Sequence, residues 1–180
     1  MEILKTGIRD VVIIQPRVFG DDRGYFFESW NKTTLENQLF HHDFVQDNQS
    51  LSMKNVLRGM HFQRPPYTQG KLVRVITGSI LDVAIDLRKK SPTYLHYETA
   101  LLSGENKLMF YVPEGFAHGF LTLEDHTIVN YKCTKEYHSD SEITFRWNDP
   151  SIAINWAIQN PILSERDREA PFLHQIDNPF

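Results

Sequence analysis

Hydrophobic and polar positions alternate along most of this chain in short runs broken by turn residues, the pattern of strands in a sandwich or barrel. The runs are Val11–Gln15, Tyr25–Trp30, Phe44–Ser52, Leu57–Phe62, Lys71–Thr77, Ile80–Arg88, His96–Ser103, Lys107–Val112, His118–Leu123, Thr127–Lys132 and Glu142–Trp147. Alternation is clearest in Ile80–Arg88, where Leu81, Val83, Ile85 and Leu87 are predicted to face a core while Asp82, Asp86 and Arg88 point the other way. Gly78-Ser79 precedes that run as a hairpin-type break. Two short helices are predicted. Thr33-x-x-Glu36 has the form of a capping box opening a helix to Phe40, and Ser164 with Asp167 caps another that Pro171 ends. Strands and helices do not alternate regularly, which argues against a doubly wound fold. The expected class is all-β, an antiparallel jelly-roll sandwich or barrel with a few short helices.

No Gly/Ser-rich or Pro-rich linker, like-charge block or internal repeat divides the 180 residues, so one domain spanning 1–180 is expected. The formal net charge of -4, with acidic and basic residues mixed, offers no broad basic face for a nucleic-acid backbone or an anionic membrane. Any phosphate must therefore meet a local cluster. The start, MEILKTGIRD, lacks the apolar core of a signal peptide, and the longest apolar runs fall far short of a membrane span. A single cysteine, Cys133, has no internal disulfide partner and suits a reducing compartment. The expected location is cytoplasmic.

The polar residues cluster in a way that a plain sandwich does not need. Side chains two apart on a strand share a face, which groups Gln46, Asn48 and Ser50, and sets Arg58 and Met60 opposite Gly59, His61 and Gln63. The outline Gly-x-His, a later Gly78, then Pro113-x-Gly115-x-x-His118 is that of the two motifs of a cupin barrel. In a metal-binding cupin those motifs supply two histidines, a glutamate and a further histidine. Here the positions read His61, Gln63, Lys71 and His118. Two imidazoles beside a lysine make a poor cation site, so no metal is expected.

Seven motifs occur in order. They are Phe19-x-Asp21-x-Arg23-Gly24-x-Phe26-x-Glu28, Gln46-x-Asn48-x-Ser50-x-Ser52, Leu57-Arg58-Gly59-x-His61-x-Gln63, Lys71-Leu72-Val73-Arg74-Val75, Gly115-Phe116-Ala117-His118-Gly119-Phe120, Trp147-Asn148-Asp149-Pro150 and Leu163-Ser164-Glu165-x-Asp167. Over nearly its whole length the chain resembles the dTDP-4-dehydrorhamnose 3,5-epimerase family. The resemblance implies a cofactor-free isomerase that inverts C3 and C5 of dTDP-4-dehydro-6-deoxy-glucose within dTDP-L-rhamnose supply for surface polysaccharide. It implies His61 as proton acceptor, Tyr131 as proton donor and Asp167 as the carboxylate paired with the histidine. It further implies substrate contacts from Arg23, Glu28, Gln46, Asp47, Asn48, Arg58, Lys71, His118 and Glu142, and stacking of Tyr137 on thymine. Arg166, beside Asp167, is a further candidate contact. A homodimer with exchanged N-terminal strands is the implied assembly.

Elementary chemistry is consistent with that assignment. Hydrogens at C3 and C5 of a 4-keto sugar are acidic because either carbanion delocalises onto the carbonyl oxygen. Inversion needs a base on one face and an acid on the other, and histidine titrates near neutrality. Taken singly, the residues have structural readings: a hydrogen-bonded core imidazole for His61, a helix-terminal carboxylate for Asp167, a core phenol for Tyr131 and an exposed ion pair for Arg23 with Glu28. Three other functions share parts of the pattern. They are epimerisation at one carbon or on another nucleotide's keto sugar, a metal-dependent cupin oxygenase, and a non-catalytic sugar-nucleotide binding module. His41-His42 and Cys133 belong to no motif, and His41-His42 is read as surface.

Overall fold

In a computed structural model, which describes residues 1–36 and 43–180, the alternating runs form two facing antiparallel sheets. The first orders β1 (Glu2–Lys5), β2 (Val12–Gln15), β10 (Met109–Val112), β7 (Lys71–Thr77), β12 (Thr127–Cys133) and β5 (Gln46–Ser52). The second orders β13 (Glu142–Thr144), β6 (Leu57–Gln63), β11 (Phe116–Thr122), β8 (Ser79–Asp86) and β9 (Tyr97–Ser103). A separate hairpin joins β3 (Phe19–Asp21) to β4 (Gly24–Phe26). Two short helices, α1 (Lys32–Glu36) and α2 (Glu165–Glu169), complete the all-β jelly roll. Among the described residues no helix is long and apolar enough to cross a membrane.

Three apolar layers explain which faces the strands bury. Between the sheets, Val73, Val75, Phe110 and Val129 meet Ile80, Ala84, Phe116 and Phe120. Behind the second sheet, Leu57, Met60, Phe62, Val83, Ile85 and Leu121 are covered by Phe145, Ile152, Trp156 and Leu173. The outer face of the first sheet is partly covered by Leu35 of α1, packed on Val12, Ile14, Leu72 and Met109. Most of the second sheet is thus buried on both faces.

Double burial adds to the reading of β8. Val83, Ile85 and Leu87 face a core, as the alternation predicts, but that core is the outer layer, and Asp82 and Asp86 on the opposite side are fully buried as well. Gly78 is a sheet-to-sheet corner rather than a hairpin turn, since β7 pairs with β10 and β12 while β8 pairs with β11 and β9. Its φ of 79° suits glycine, and a Cβ there would stand 2.3 Å from Thr127 Oγ1. The first helix starts one residue before Thr33, because the Asn31 side chain accepts from the Thr34 amide and supplies the cap instead. Its expected course to Phe40 and the surface placement of His41-His42 lie outside the described residues. The Tyr25–Trp30 run stops as a strand at Phe26, and β1 and β3 form where no strand was expected.

Asp86 shows how such a carboxylate is accommodated. Burial pushes it toward neutrality, but Arg88 donates from Nε at 2.9 Å and Nη2 at 2.9 Å, and Ser91 and Thr93 donate at 2.6 and 2.7 Å. The net result holds its pKa down at about 2. A carboxyl depressed on folding contributes stability above its unfolded value of 3.8 and loses it as pH falls through about 2. We therefore expect the stability gap between the wild type and Asp86→Asn to narrow by ~2 kcal/mol from pH 5 to pH 2. Denaturant melts across that window check it, and a gap independent of pH would show that the charge contributes nothing.

Candidate active site

A cavity of about 430 Å³ lies between the inner faces of the two sheets, against the segment that leads into α2. The first sheet supplies Lys71 from β7 and Tyr131 from β12; the second supplies His61 from β6, His118 from β11 and Glu142 from β13; α2 adds Arg166 and Asp167. Arg58, Ser50 and Ser164 add further polar groups, and Val56, Leu57, Phe120, Ile162 and Leu163 supply the apolar part of the wall. An adjoining cavity of about 290 Å³ shares His61, Lys71, Tyr131 and Glu142 and adds Gln46, Asn48 and Tyr137.

Local geometry accounts for the presence of Arg58 beside His61. Strict alternation sets them on opposite faces, but β6 bulges against β11, so that His61 pairs with His118 and Arg58 already with Phe120. Between those pairs Gly59 and Met60 oppose Gly119 alone, and the extra residue returns Arg58 to the cavity side. The guanidinium is tied by Nε to Ser52 Oγ at 3.1 Å. Gly59 permits the bulge. Its φ is 135°, and a Cβ would lie 2.7 Å from Gly119 Cα on the neighbouring strand.

The two histidines are each held by a buried carboxylate. His61 Nε2 lies 2.6 Å from Asp167 Oδ1, and His118 Nε2 lies 2.6 Å from Asp82 Oδ1. Burial pushes the Asp167 carboxyl up, but hydrogen bonds from His61, Ser164 and the Gly59 amide hold it below its ordinary value. Ionised Asp167 can only accept, so Nε2 of His61 carries a proton, which leaves Nδ1 as the nitrogen that can act as a base. Burial raises the Tyr131 phenol, with the neighbouring Cys133 adding to it and Arg58 opposing, so Tyr131 stays protonated. Lys71 Nζ stands 6.0 Å from the Tyr131 ring centroid. Burial lowers the pKa of that ammonium, while Cys133, Glu142 and Asp82 counter the shift.

Glu142 and Tyr137 link the two cavities. Tyr137 donates from its hydroxyl to Glu142 Oε2 at 2.8 Å, its amide donates to Gln46 Oε1 at 2.7 Å, and Arg166 pairs with Glu142. Tyr137 is 54% exposed, which leaves a ring face free to stack. Three expected contacts do not reach either cavity in the single chain. Asp47 points outward to Asn130 Nδ2 at 2.9 Å and Lys132 Nζ at 2.7 Å. Arg23 and Asp21 pair at 2.5 Å on the exposed hairpin, and Glu28 accepts from Asn31 Nδ2 at 2.9 Å.

Sequence reasoning gave no role to Asp82, which it placed only on the face of β8 opposite Val83 and Ile85, and it read Ser164 only as a cap. It also gave no role of its own to Ser50, whose buried hydroxyl oxygen lines the cavity without a hydrogen-bond partner among the described residues. For Asp82 a signal was present, since a carboxylate on the same face as Ile80 and Ala84 is a buried one once the sheet is two-sided.

Residues 5–175 match the family model described as dTDP-4-dehydrorhamnose 3,5-epimerase. A protein of that name from Salmonella typhimurium is 51% identical over 97% of both chains. The crystal structure of dTDP-6-deoxy-D-glucose-3,5-epimerase from Legionella pneumophila in complex with dTDP-4-keto-L-rhamnose superposes with a TM-score of 0.94 at 45% identity, covering 98% of this chain and 94% of that one. That of dTDP-4-dehydrorhamnose 3,5-epimerase from Bacillus anthracis with TDP and pyrophosphate bound gives a TM-score of 0.93 at 47% identity, covering 96% and 99%. By model, sequence and fold together, this chain belongs to the dTDP-4-dehydrorhamnose 3,5-epimerase family.

Proposed function

We propose that the chain inverts C3 and C5 of dTDP-4-dehydro-6-deoxy-glucose to give dTDP-4-dehydrorhamnose, with His61 as base and Tyr131 as acid. The observation that carries the proposal is the convergence of His61 and Tyr131 on one cavity from opposite sheets. A base on one wall and a protonated phenol on the other are what inversion of a carbon acid requires. His61 removes the proton through Nδ1, and Asp167 stabilises the imidazolium that forms. The electron pair moves to the C4 oxygen, where Lys71 supplies positive charge in a low-dielectric setting. Tyr131 returns a proton to the opposite face of the carbon. The substrate's own carbonyl delocalises the charge, so the reading invokes no metal and no cofactor.

The adjoining cavity suits the nucleotide: Tyr137 presents the ring for thymine, with Gln46, Asn48 and Glu142 around it. Arg58, His118 and Arg166 complete the contacts in the larger cavity. Apolar contact between the sheets supports treating 1–180 as one domain, and the lone buried thiol of Cys133 supports a cytoplasmic location. The assembly we propose is a homodimer with exchanged N-terminal strands. Phe19, Tyr25 and Phe26 are 50%, 60% and 66% exposed on the hairpin that also carries Arg23, which is more apolar surface than a solvated hairpin needs.

Incubation with dTDP-4-dehydro-6-deoxy-glucose in deuterium oxide, followed by NMR, tests the reaction. Label is expected at both C3 and C5; label at one carbon defines a mono-epimerase, and label at neither sinks the epimerase reading. Tyr131→Phe should still exchange where deprotonation occurs while inversion falls.

A further inference from the structure

Ser164 occupies an unusual place in the cap of α2. Its Oγ accepts from the Asp167 amide at 3.1 Å and donates to Asp167 Oδ2 at 2.9 Å. Because the amide already uses the oxygen as acceptor, the hydroxyl proton is directed at the carboxylate. In the usual capping box, the side chain at this third helical position reaches back to the backbone of the cap. Here the Asp167 side chain instead takes the cap hydroxyl on one oxygen and His61 on the other. The helix spans five residues, too short to hold itself together, so its geometry depends on what ties it down.

We propose that Ser164 is a positioning residue for the epimerisation. It locks the Asp167 carboxylate against His61 and so keeps the imidazole in the tautomer with its proton on Nε2 and Nδ1 as the basic nitrogen. Carboxylate rotation is the freedom that Ser164 removes. Asp167 is buried, and the donors on it are His61 on Oδ1, Ser164 on Oδ2 and the Gly59 amide. Without the hydroxyl, Oδ2 is left in a dry site with one donor fewer, and turning to recover one takes Oδ1 off Nε2. His61 is then free to protonate on Nδ1, the nitrogen that must be vacant to accept a proton from carbon. This inference rests on the epimerase reading for its kinetic part only.

Capping and positioning can be separated, because glycine caps a helix nearly as well as serine but has no hydroxyl. Ser164→Gly is therefore expected to fold with a modest loss of melting temperature from the lost donor on Oδ2, to lower kcat about tenfold with KM and dTDP affinity within twofold, and to be rescued by Ser164→Thr. The direct readout is the tautomer of His61 from long-range ¹H–¹⁵N correlation spectra, assigned by its loss in His61→Asn. The wild type should show Nε2–H alone, and Ser164→Gly a mixture of both tautomers. A single unchanged tautomer in folded Ser164→Gly, or in folded Ser164→Ala should the glycine variant not fold, overturns the proposal whatever the kinetics. If the wild type incorporates no label at either carbon, the epimerase reading falls while the tautomer spectrum still decides the role of Ser164.

Discussion

His61→Asn is expected to lower turnover by about 10³-fold and to abolish deuterium incorporation at both C3 and C5, while dTDP affinity stays within severalfold. Asparagine keeps a side-chain amide that can face Asp167, so the cavity stays closed and folded, but it has no nitrogen able to take a proton from carbon. The split between chemistry and binding follows from the arrangement of the cavities. His61 borders both, yet the groups suited to the nucleotide, Tyr137 and Gln46, are bonded to Glu142 and to each other and not to the imidazole. Titration calorimetry with dTDP and single-turnover kinetics check the two halves separately. Near-wild-type turnover would move the base elsewhere in the cavity, and His118, held by Asp82, is the next imidazole available.

Mixing two inactive variants should restore activity. Arg23 and Glu28 stay outside both cavities in the single chain, and the exposed aromatic rings of their hairpin give it an adhesive face. If that hairpin completes the partner's cavity under two-fold symmetry, Arg23→Ala and His61→Ala fail in different halves of the same site. In a mixed dimer one site then carries both defects and the other neither. Random exchange of equal amounts therefore recovers about a quarter of the wild-type activity per total site. Mass spectrometry of the intact dimers establishes that exchange took place. No recovery in the presence of mixed dimers assigns Arg23 to its own subunit and removes the exchanged-strand assembly.

What the sequence disclosed divides along physical lines. Period-two alternation located most strands because one methylene-rich face of each strand must leave water, and that requirement is local. It could not say what lay on the other face. β8 is the clearest case: Asp82 and Asp86 look like a solvent side until the first sheet closes over their face and the chain after β13 over the other, and the burial of the Asp82 charge depends on a partner 36 residues away at His118. Arg58 was misplaced for a related reason, since a bulge is a property of a strand pair and not of one strand. The capping signal at Ser164 was legible, being confined to four residues. That its hydroxyl also serves a carboxylate bound to His61, across 106 residues, was not. Motif order located the cavity residues that proximity along the chain could not, and it placed Asp47 among them although its side chain faces outward in the single chain.

The chain after β13 closes the second sheet with Phe145, Trp156 and Leu173 and carries Asp167 as it does so. Its last residues are tied back, with the Lys89 amide donating to the Phe180 carbonyl at 3.3 Å and Asn178 Nδ2 to the Leu87 carbonyl at 2.7 Å. Every named strand precedes that segment in the chain. On the ribosome, then, the sandwich can be complete in its hydrogen-bonded ladders before the carboxylate for His61 has emerged. The same stretch of chain therefore supplies both the cover of the second sheet and the carboxylate that His61 needs, so the outer core and the site are completed together.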